Sequence, residues 1–389
     1  MQETKLNLTK EQLQTVINDH IIKENGVNEL FSTFVNSLMY CERKQYLEKD
    51  ELGNKANGFR KIIKAGINTG LQLSIPRDRL SQFKPMILGI LKEQEEQIKE
   101  LSFELYGKGL TTREISKVLE KIYGKSYSKS TISNISLSYY DYIKSWSERK
   151  LLSNYPVIMI DALHLKVRRD TVETEAFYVV LGLKPDFTRE ILSIKNIPTE
   201  SSLGWKSILL DLRERGLEQV NLIVSDDLKG LAETIKAIYP ESNHQKCILH
   251  FQKNISKEIR IKDRKIFCEG LKRIFNPEEN KKVIEKVDEL QNYLSTWEDK
   301  YPSLKRISKK KDLESYFTYF KYQRVIRRMV YTTNWIERFN KSVRRTTKIR
   351  NSFPSPESAL FLIGYKGMEM EEGAYKYPIY EFRYEDKFR

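Results

Sequence analysis

The sequence predicts an α/β protein: a mixed β-sheet built in the order β-β-β-α-β-α-β, with helical segments on either side of it in the chain. Three observations carry this. Between Val157 and Ile197 lie three β-rich runs in succession, VIMIDALHLKV, AFYVVLGL and REILSIKNI, the last two separated by KPDFT. Helical and strand periods then alternate through SSLGWKSILLDLRERG, VNLIVSDD, LKGLAETIKAIYP and HQKCILHF. Residues 251–330 are helical in pattern and strongly charged, with KNISKEIRIKDRK and ISKKKDLE as basic stretches.

Taken in order, residues 1 to about 50 read as helical, through LTKEQLQTVINDHIIKE and LFSTFVNSLMYCERKQYLEK. In 51–85, Gly53, Gly58, Gly66 and Gly70 break that pattern, and LQLSIPRDRLSQFKP reads as a short strand and a proline-bounded loop. From Met86 to Trp146 the helical period returns. Within it, Thr111 and Glu114 form a capping box that starts a helix carrying Ile115, Val118, Leu119 and Ile122. Gly124 ends that helix. Ser128 caps a second one, with Ile132 and Ile135 inward and Lys129, Ser130, Ser133 and Asn134 outward. A short polar helix after a glycine turn suits a major groove, so this pair reads as a helix-turn-helix. An ordinary helical hairpin is the alternative.

Two acids stand out in the sheet region. Asp161 interrupts an apolar strand, which is costly unless the carboxylate is paired or holds a metal. Asp226, followed by Asp227, ends another. If the first and fourth strands are neighbours, Asp161 and Asp226 converge and repel, and divalent cations relieve that repulsion. Oxygen donors with open positions suit Mg²⁺ or Mn²⁺, and two such ions would serve both the attacking and the leaving oxygen of a phosphoryl transfer. A buried ion pair at Asp161, and a turn or helix cap at Asp226 and Asp227, are the plainer readings.

A third acid, Glu337, lies in TTNWIERFNKSVRRTTKIR, a helical stretch otherwise aromatic, amide and basic. Glu337, Arg344 and Lys348 share one face. Arg338, Asn340, Arg344, Arg345 and Lys348 are candidate phosphate contacts, and Trp335 a candidate base-stacking residue as well as a core residue. His244, Cys247 and His250 form an HxxCxxH run. No fourth ligand completes a zinc site, so Cys247 and His250 read as packing or polar support beneath the acids.

Bulk properties point the same way. The chain has 389 residues, 68 Lys plus Arg against 53 Asp plus Glu, and a formal net charge of +15. That excess implies a polyanionic partner, nucleic acid before an anionic membrane surface. Three cysteines without a CxxC pair argue against a disulfide framework, and no apolar run is long enough to span a bilayer. A cytoplasmic, nucleoid-associated protein is expected.

Several blocks resemble the Mutator-type DDE transposases of bacterial insertion sequences (the insertion sequence 256 group). They are NGFRKIIKAGINTGLQLSIPRDRLSQFKP, YGKGLTTREISKVLEKIYGKSYSKSTISNI, IDALHLKVR, VSDDLKGL, CILH and VYTTNWIERFNKSVRRTTKIRNSFPS, in the family's order over about residues 50–365. Two positions depart: Asp227 stands where the family usually has Gly, and His164 where an aromatic is common. The resemblance implies a ribonuclease H-like core interrupted by an all-α insertion before the third acid. Asp226 follows Asp161 by 65 residues and Glu337 follows Asp226 by 111, which leaves room for it. The implied layout is a DNA-end-binding region at 1–85, a helix-turn-helix domain at 86–150, the core at 151–250 and 331–389, and the insertion at 251–330. Asp161, Asp226 and Glu337 are implied as the metal-binding catalytic triad and Cys247 and His250 as the family's C-x-x-H pair. The implied activity is binding of terminal inverted repeats in double-stranded DNA, strand cleavage and 3′-hydroxyl attack on target DNA, carried out by a homodimer or higher assembly. The rivals are an inactive, domesticated DNA-binding protein and a nuclease that cuts without joining.

Overall fold

The structure, a computed structural model, describes residues 9–16, 18, 26–50, 53–64, 70–124, 127–198, 200–310, 312–348 and 352–388. The chain divides into two compact units, Met1–Tyr139 and Tyr140–Arg389.

The first unit holds helices α1 (Lys10–Val16), α2 (Gly26–Glu48), α3 (Ile87–Gly107) and α4 (Thr112–Tyr123), and the start of α5 (Lys129–Ser147). Between α2 and α3 lies an antiparallel hairpin, β1 (Ala56–Lys64) and β2 (Leu71–Asp78). The sequence reading found β2 and missed β1. Its glycines read as breakers, yet Gly58 at φ +67° sits where the ladder shifts register between Ala56 and Phe59, so it marks a bulge within a strand. Helix α4 opens on the expected reciprocal cap between Thr111 and Glu114 and closes on Gly124 in the left-handed conformation. Ser128 accepts from the Thr131 amide at 3.0 Å, and α5 then runs well beyond the expected short helix.

The second unit is built on a five-stranded sheet. Its strands are β3 (Asn154–Arg168), β4 (Val172–Leu183), β5 (Arg189–Ile197), β6 (Gln219–Ser225) and β7 (Asn243–Lys246), in spatial order β5-β4-β3-β6-β7. The first three run antiparallel as a meander; β6 pairs parallel with β3, and β7 parallel with β6. Two crossovers, α6 (Ser202–Glu214) and α7 (Leu231–Ile238), make the parallel pairs possible. The first and fourth strands of the predicted order are therefore neighbours.

Strand alternation gives each face its own core. Ile158, Ile160, Tyr178, Val180 and Ile223 pack under Trp205, Ile208, Leu212 and Ile235 of α6 and α7. Val157, Met159, Leu163, Val179 and Val224 pack on the other face, with Phe339 and Val343 from α13 and Leu362 from α14. Here α13 is Asn334–Thr347 and α14 is Pro356–Glu372. Each fully buried Val, Leu or Phe in these layers contributes roughly 1.5–3 kcal/mol.

Between β7 and α13 the chain is helical: α8 (Ile248–Lys257), α9 (Ile261–Ile274), α10 (Val283–Glu298), α11 (Leu304–Ser308) and α12 (Arg324–Val330), with 3-10 turns at Leu313–Tyr316 and Thr318–Lys321. HQKCILHF is not one strand. Pairing stops at Lys246, and Cys247 becomes the N-cap of α8, whose Ile248, Phe251 and Ile255 are buried at helical spacing. Among the described residues, no helix is long and apolar enough to cross a membrane.

Candidate active site

Asp161 lies within β3, and its alternation with Met159 and Leu163 puts it on the sheet face that carries α13. Asp226 is the first residue past β6. Met159 pairs with Val224 in the parallel register, so two residues further along each strand Asp161 and Asp226 stand at one level. Glu337 is in the first turn of α13. All three line one cleft of about 650 Å³.

Burial first, then the charge on Asp226, pushes Asp161 up to about 7. Among the described residues no lysine or arginine is within ion-pair distance of it. Its Oδ1 accepts from the Ala162 amide at 2.9 Å and its Oδ2 from Asn340 Nδ2 at 2.7 Å. Asp226 pairs with His250 through Oδ1 and Nδ1. That carboxylate and the Cys247 thiol hold the imidazole well above its usual pKa. The donor atoms of Asp226, Cys247 and His250 all lie within 4.8 Å of one another. Thr333 joins this group to the third acid: its hydroxyl donates to Glu337 Oε1 at 3.2 Å and lies 3.4 Å from Cys247 Sγ.

His244 is not part of the cluster. It is bonded to Ser225 Oγ at 2.7 Å, and burial drives it down to about 4. The HxxCxxH run is therefore two sites, because His244 sits on β7 while Cys247 and His250 sit at the start of α8.

Asp227 turns to other partners. Its carboxylate takes Lys246 Nζ at 2.5 Å, Lys310 Nζ at 2.7 Å and the Tyr316 hydroxyl at 2.9 Å. These bonds outweigh its burial and hold it down to about 2. Of the two consecutive acids, Asp226 lines the acidic cleft and Asp227 is tied to the helical segment.

Arg338 and Arg344 line the cleft and are exposed. Arg345 and Lys348 are exposed but outside its lining. Two other expected contacts, Trp335 and Asn340, are buried. Trp335 is 8 % exposed with its ring edge against Phe382, a core position that leaves no face for a base. Asn340 is 1 % exposed and spends its amide on Asp161. On the other unit, Ser130, Ser133 and Asn134 are exposed on α5. The side chain of Lys129 lies outside the described residues.

The cleft also holds His164 and three residues that sequence reasoning passed over: Glu200, Lys253 and Lys341. Glu200 is raised in pKa by burial, and His164 Nε2 lies 3.7 Å from its carboxylate. The signal that could have found it is topological: β5 runs the same way as β3, so the loop after β5 opens on the same edge as the loop after β6.

Transposases of the Mutator family match residues 1–376. The chain belongs to the Mutator family of transposases. It is 31% identical over 359 residues to the transposase of insertion sequence IS905 of Lactococcus lactis, covering 89% of this chain and 90% of that one. It is 30% identical over 382 residues to the IS256 transposase of transposon Tn4001 from Staphylococcus aureus, covering 96% of each. Among solved structures, a Drosophila P element transposase strand transfer complex aligns at 11% identity, over 76% of this chain and 93% of that one. Its TM-score of 0.38 is too low for the likeness to carry an argument.

In this transposase the donor set of the cleft suits a hard divalent cation. Asp161 and Glu337 are carboxylates with no lysine or arginine partner among the described residues, and burial makes the charge on Asp161 costly until a cation joins it. The geometry also suits phosphate. Arg338, Lys341 and Arg344 stand along one wall from α13, and Lys253 on another from α8.

Proposed function

We propose that the chain is a metal-dependent DDE transposase, with Asp161, Asp226 and Glu337 as the residues that hold one or two Mg²⁺ or Mn²⁺ ions. The observation that carries this reading is the meeting of these three acids in one cleft whose rim is basic. The strand order β5-β4-β3-β6-β7, with a helical segment between the second and third acids, supports a ribonuclease H-like core with an all-α insertion at 251–330. On this reading residues 1–85 and 86–150 bind the element ends, the latter through a helix-turn-helix. The protein works in the cytoplasm on the nucleoid, as a dimer or higher assembly that brings two ends together.

Held by Asp161, Asp226 and Glu337, the cations would supply Lewis acidity to a water or hydroxyl nucleophile and would offset charge on the leaving oxygen. The protein's own residues do the rest. His250 pairs with Asp226 and fixes its orientation, as outer-shell partners of metal ligands commonly do. Thr333 orients Glu337. Arg338, Lys341 and Arg344 hold phosphates of double-stranded DNA against the acids. Water attacks the phosphodiester at the element end, the P–O3′ bond breaks, and a 3′-hydroxyl is freed. That hydroxyl then attacks a phosphodiester of target DNA, releasing a second 3′-hydroxyl. No covalent bond to the protein forms.

The test is Asp161→Ala on DNA that carries the ends flanking this gene. The reading expects cleavage to disappear and binding of the ends to persist. Loss of binding would make Asp161 a structural acid and sink the reading.

A further inference from the structure

Asn340 stands one turn after Glu337 on α13, so both side chains project on one face. It is 1 % exposed and lines the acidic cleft. Its Nδ2 donates to Asp161 Oδ2 at 2.7 Å, while its Oδ1 is buried with no hydrogen-bond partner among the described residues. Turning the amide over offers no remedy, since a carbonyl oxygen would then face a carboxylate. Holding Asp161 therefore leaves a buried acceptor open. Such groups are rare in folded proteins and call for a donor, commonly water.

We propose that Asn340 is a positioning residue of the cation site: its Nδ2 fixes the carboxylate of Asp161, and its Oδ1 accepts from a water in the shell of the bound divalent cation. The inference rests on the metal-dependent reading above. The choice of residue makes chemical sense. An arginine in this place would orient Asp161 equally well but would neutralise it and compete with the cation. A neutral amide orients the carboxylate and leaves its charge available. The Ala162 amide holds the other oxygen at 2.9 Å, so the rotamer is fixed from both sides, and each oxygen keeps a lone pair for a metal.

The experiment measures Mn²⁺ binding to the full chain by calorimetry without DNA, for wild type, Asn340→Ala, Asn340→Leu and Asp161→Asn. Asn340→Leu keeps the buried volume without the amide, so it stays informative if the alanine variant fails to fold. Both Asn340 variants are expected to bind Mn²⁺ about 10–100-fold more weakly, the usual effect of losing an outer-shell partner. In cleavage assays the half-saturating Mn²⁺ should rise by a similar factor, while the rate at saturating Mn²⁺ stays within a few-fold of wild type. A merely structural role would lower the rate at every Mn²⁺ concentration. Wild-type Mn²⁺ affinity in a folded Asn340→Leu protein overturns the inference, provided Asp161→Asn has lost binding. Retained binding in Asp161→Asn as well would instead overturn the metal assignment on which it rests.

Discussion

Replacing Asp161 by Asn should stabilise the metal-free protein at alkaline pH. Burial and Asp226 raise the Asp161 carboxyl from 3.8 to about 7. The folded state therefore binds this proton more tightly than the unfolded state does. Its contribution to stability is complete below about pH 4 and is lost as the pH rises through about 7. A rise of about three pKa units corresponds to roughly 4 kcal/mol at about 1.4 kcal/mol per unit, a ceiling that relaxation around the charged pair lowers. Asparagine removes that charge and can still accept from Asn340, but it turns an N–H toward the Ala162 amide, which costs about 1 kcal/mol. The net expectation at pH 8.5 is a gain of roughly 1–3 kcal/mol, or about 2–10 °C in melting temperature for a unit of this size. Thermal unfolding in EDTA at pH 5 and pH 8.5 reads it: the gain appears at pH 8.5 and shrinks toward pH 5. Added Mn²⁺ should then raise the melting temperature of wild type and leave the variant where it was. A variant less stable than wild type at pH 8.5 in EDTA would refute the reasoning, because a carboxylate serving a structural ion pair behaves that way.

Two further substitutions separate the roles of neighbouring residues. Asp227→Asn should destabilise by roughly 1–3 kcal/mol, because the Lys246 side chain, only 3 % exposed, would keep Asp312 alone as a carboxylate partner. An unchanged urea midpoint would show that the Asp227 network is incidental. The double change Lys341→Ala and Arg344→Ala should weaken binding to all DNA sequences alike and reduce the salt slope of binding by about one for each phosphate no longer neutralised. A slope equal to that of wild type would remove that wall of the cleft from the DNA path.

The order of strands and helices in the second unit was legible because each strand was a β-rich apolar run and each crossover helix an amphipathic one. Pairing was not legible in any single run. It took the parallel register of β3 and β6 to bring Asp161 and Asp226 to one level. Local chemistry misled at β1, where a bulge glycine resembles a breaker, and at Cys247, where a strand passes into a helix without a break in hydrophobicity. The different surroundings of Asp226 and Asp227 lay beyond sequence, since Lys246 and Lys310 reach Asp227 from other elements. Trp335 and Asn340 shared a helix with exposed cations and so read as DNA contacts, but helical phase turns both inward, one to Phe382 and the other to Asp161. Glu200 carried no local mark at all; only the shared direction of β3 and β5 brings its loop to the site.

The most direct test of the account is strand cleavage and joining on labelled DNA bearing the ends that flank this gene, with Mg²⁺ or Mn²⁺, for wild type and Glu337→Gln. The substitution keeps the size of the side chain and its acceptor for Thr333, and removes only the charge. The account predicts metal-dependent cleaved and joined products from wild type and none from Glu337→Gln, with equal binding of the ends by both. Joined products from Glu337→Gln at the wild-type rate would contradict it.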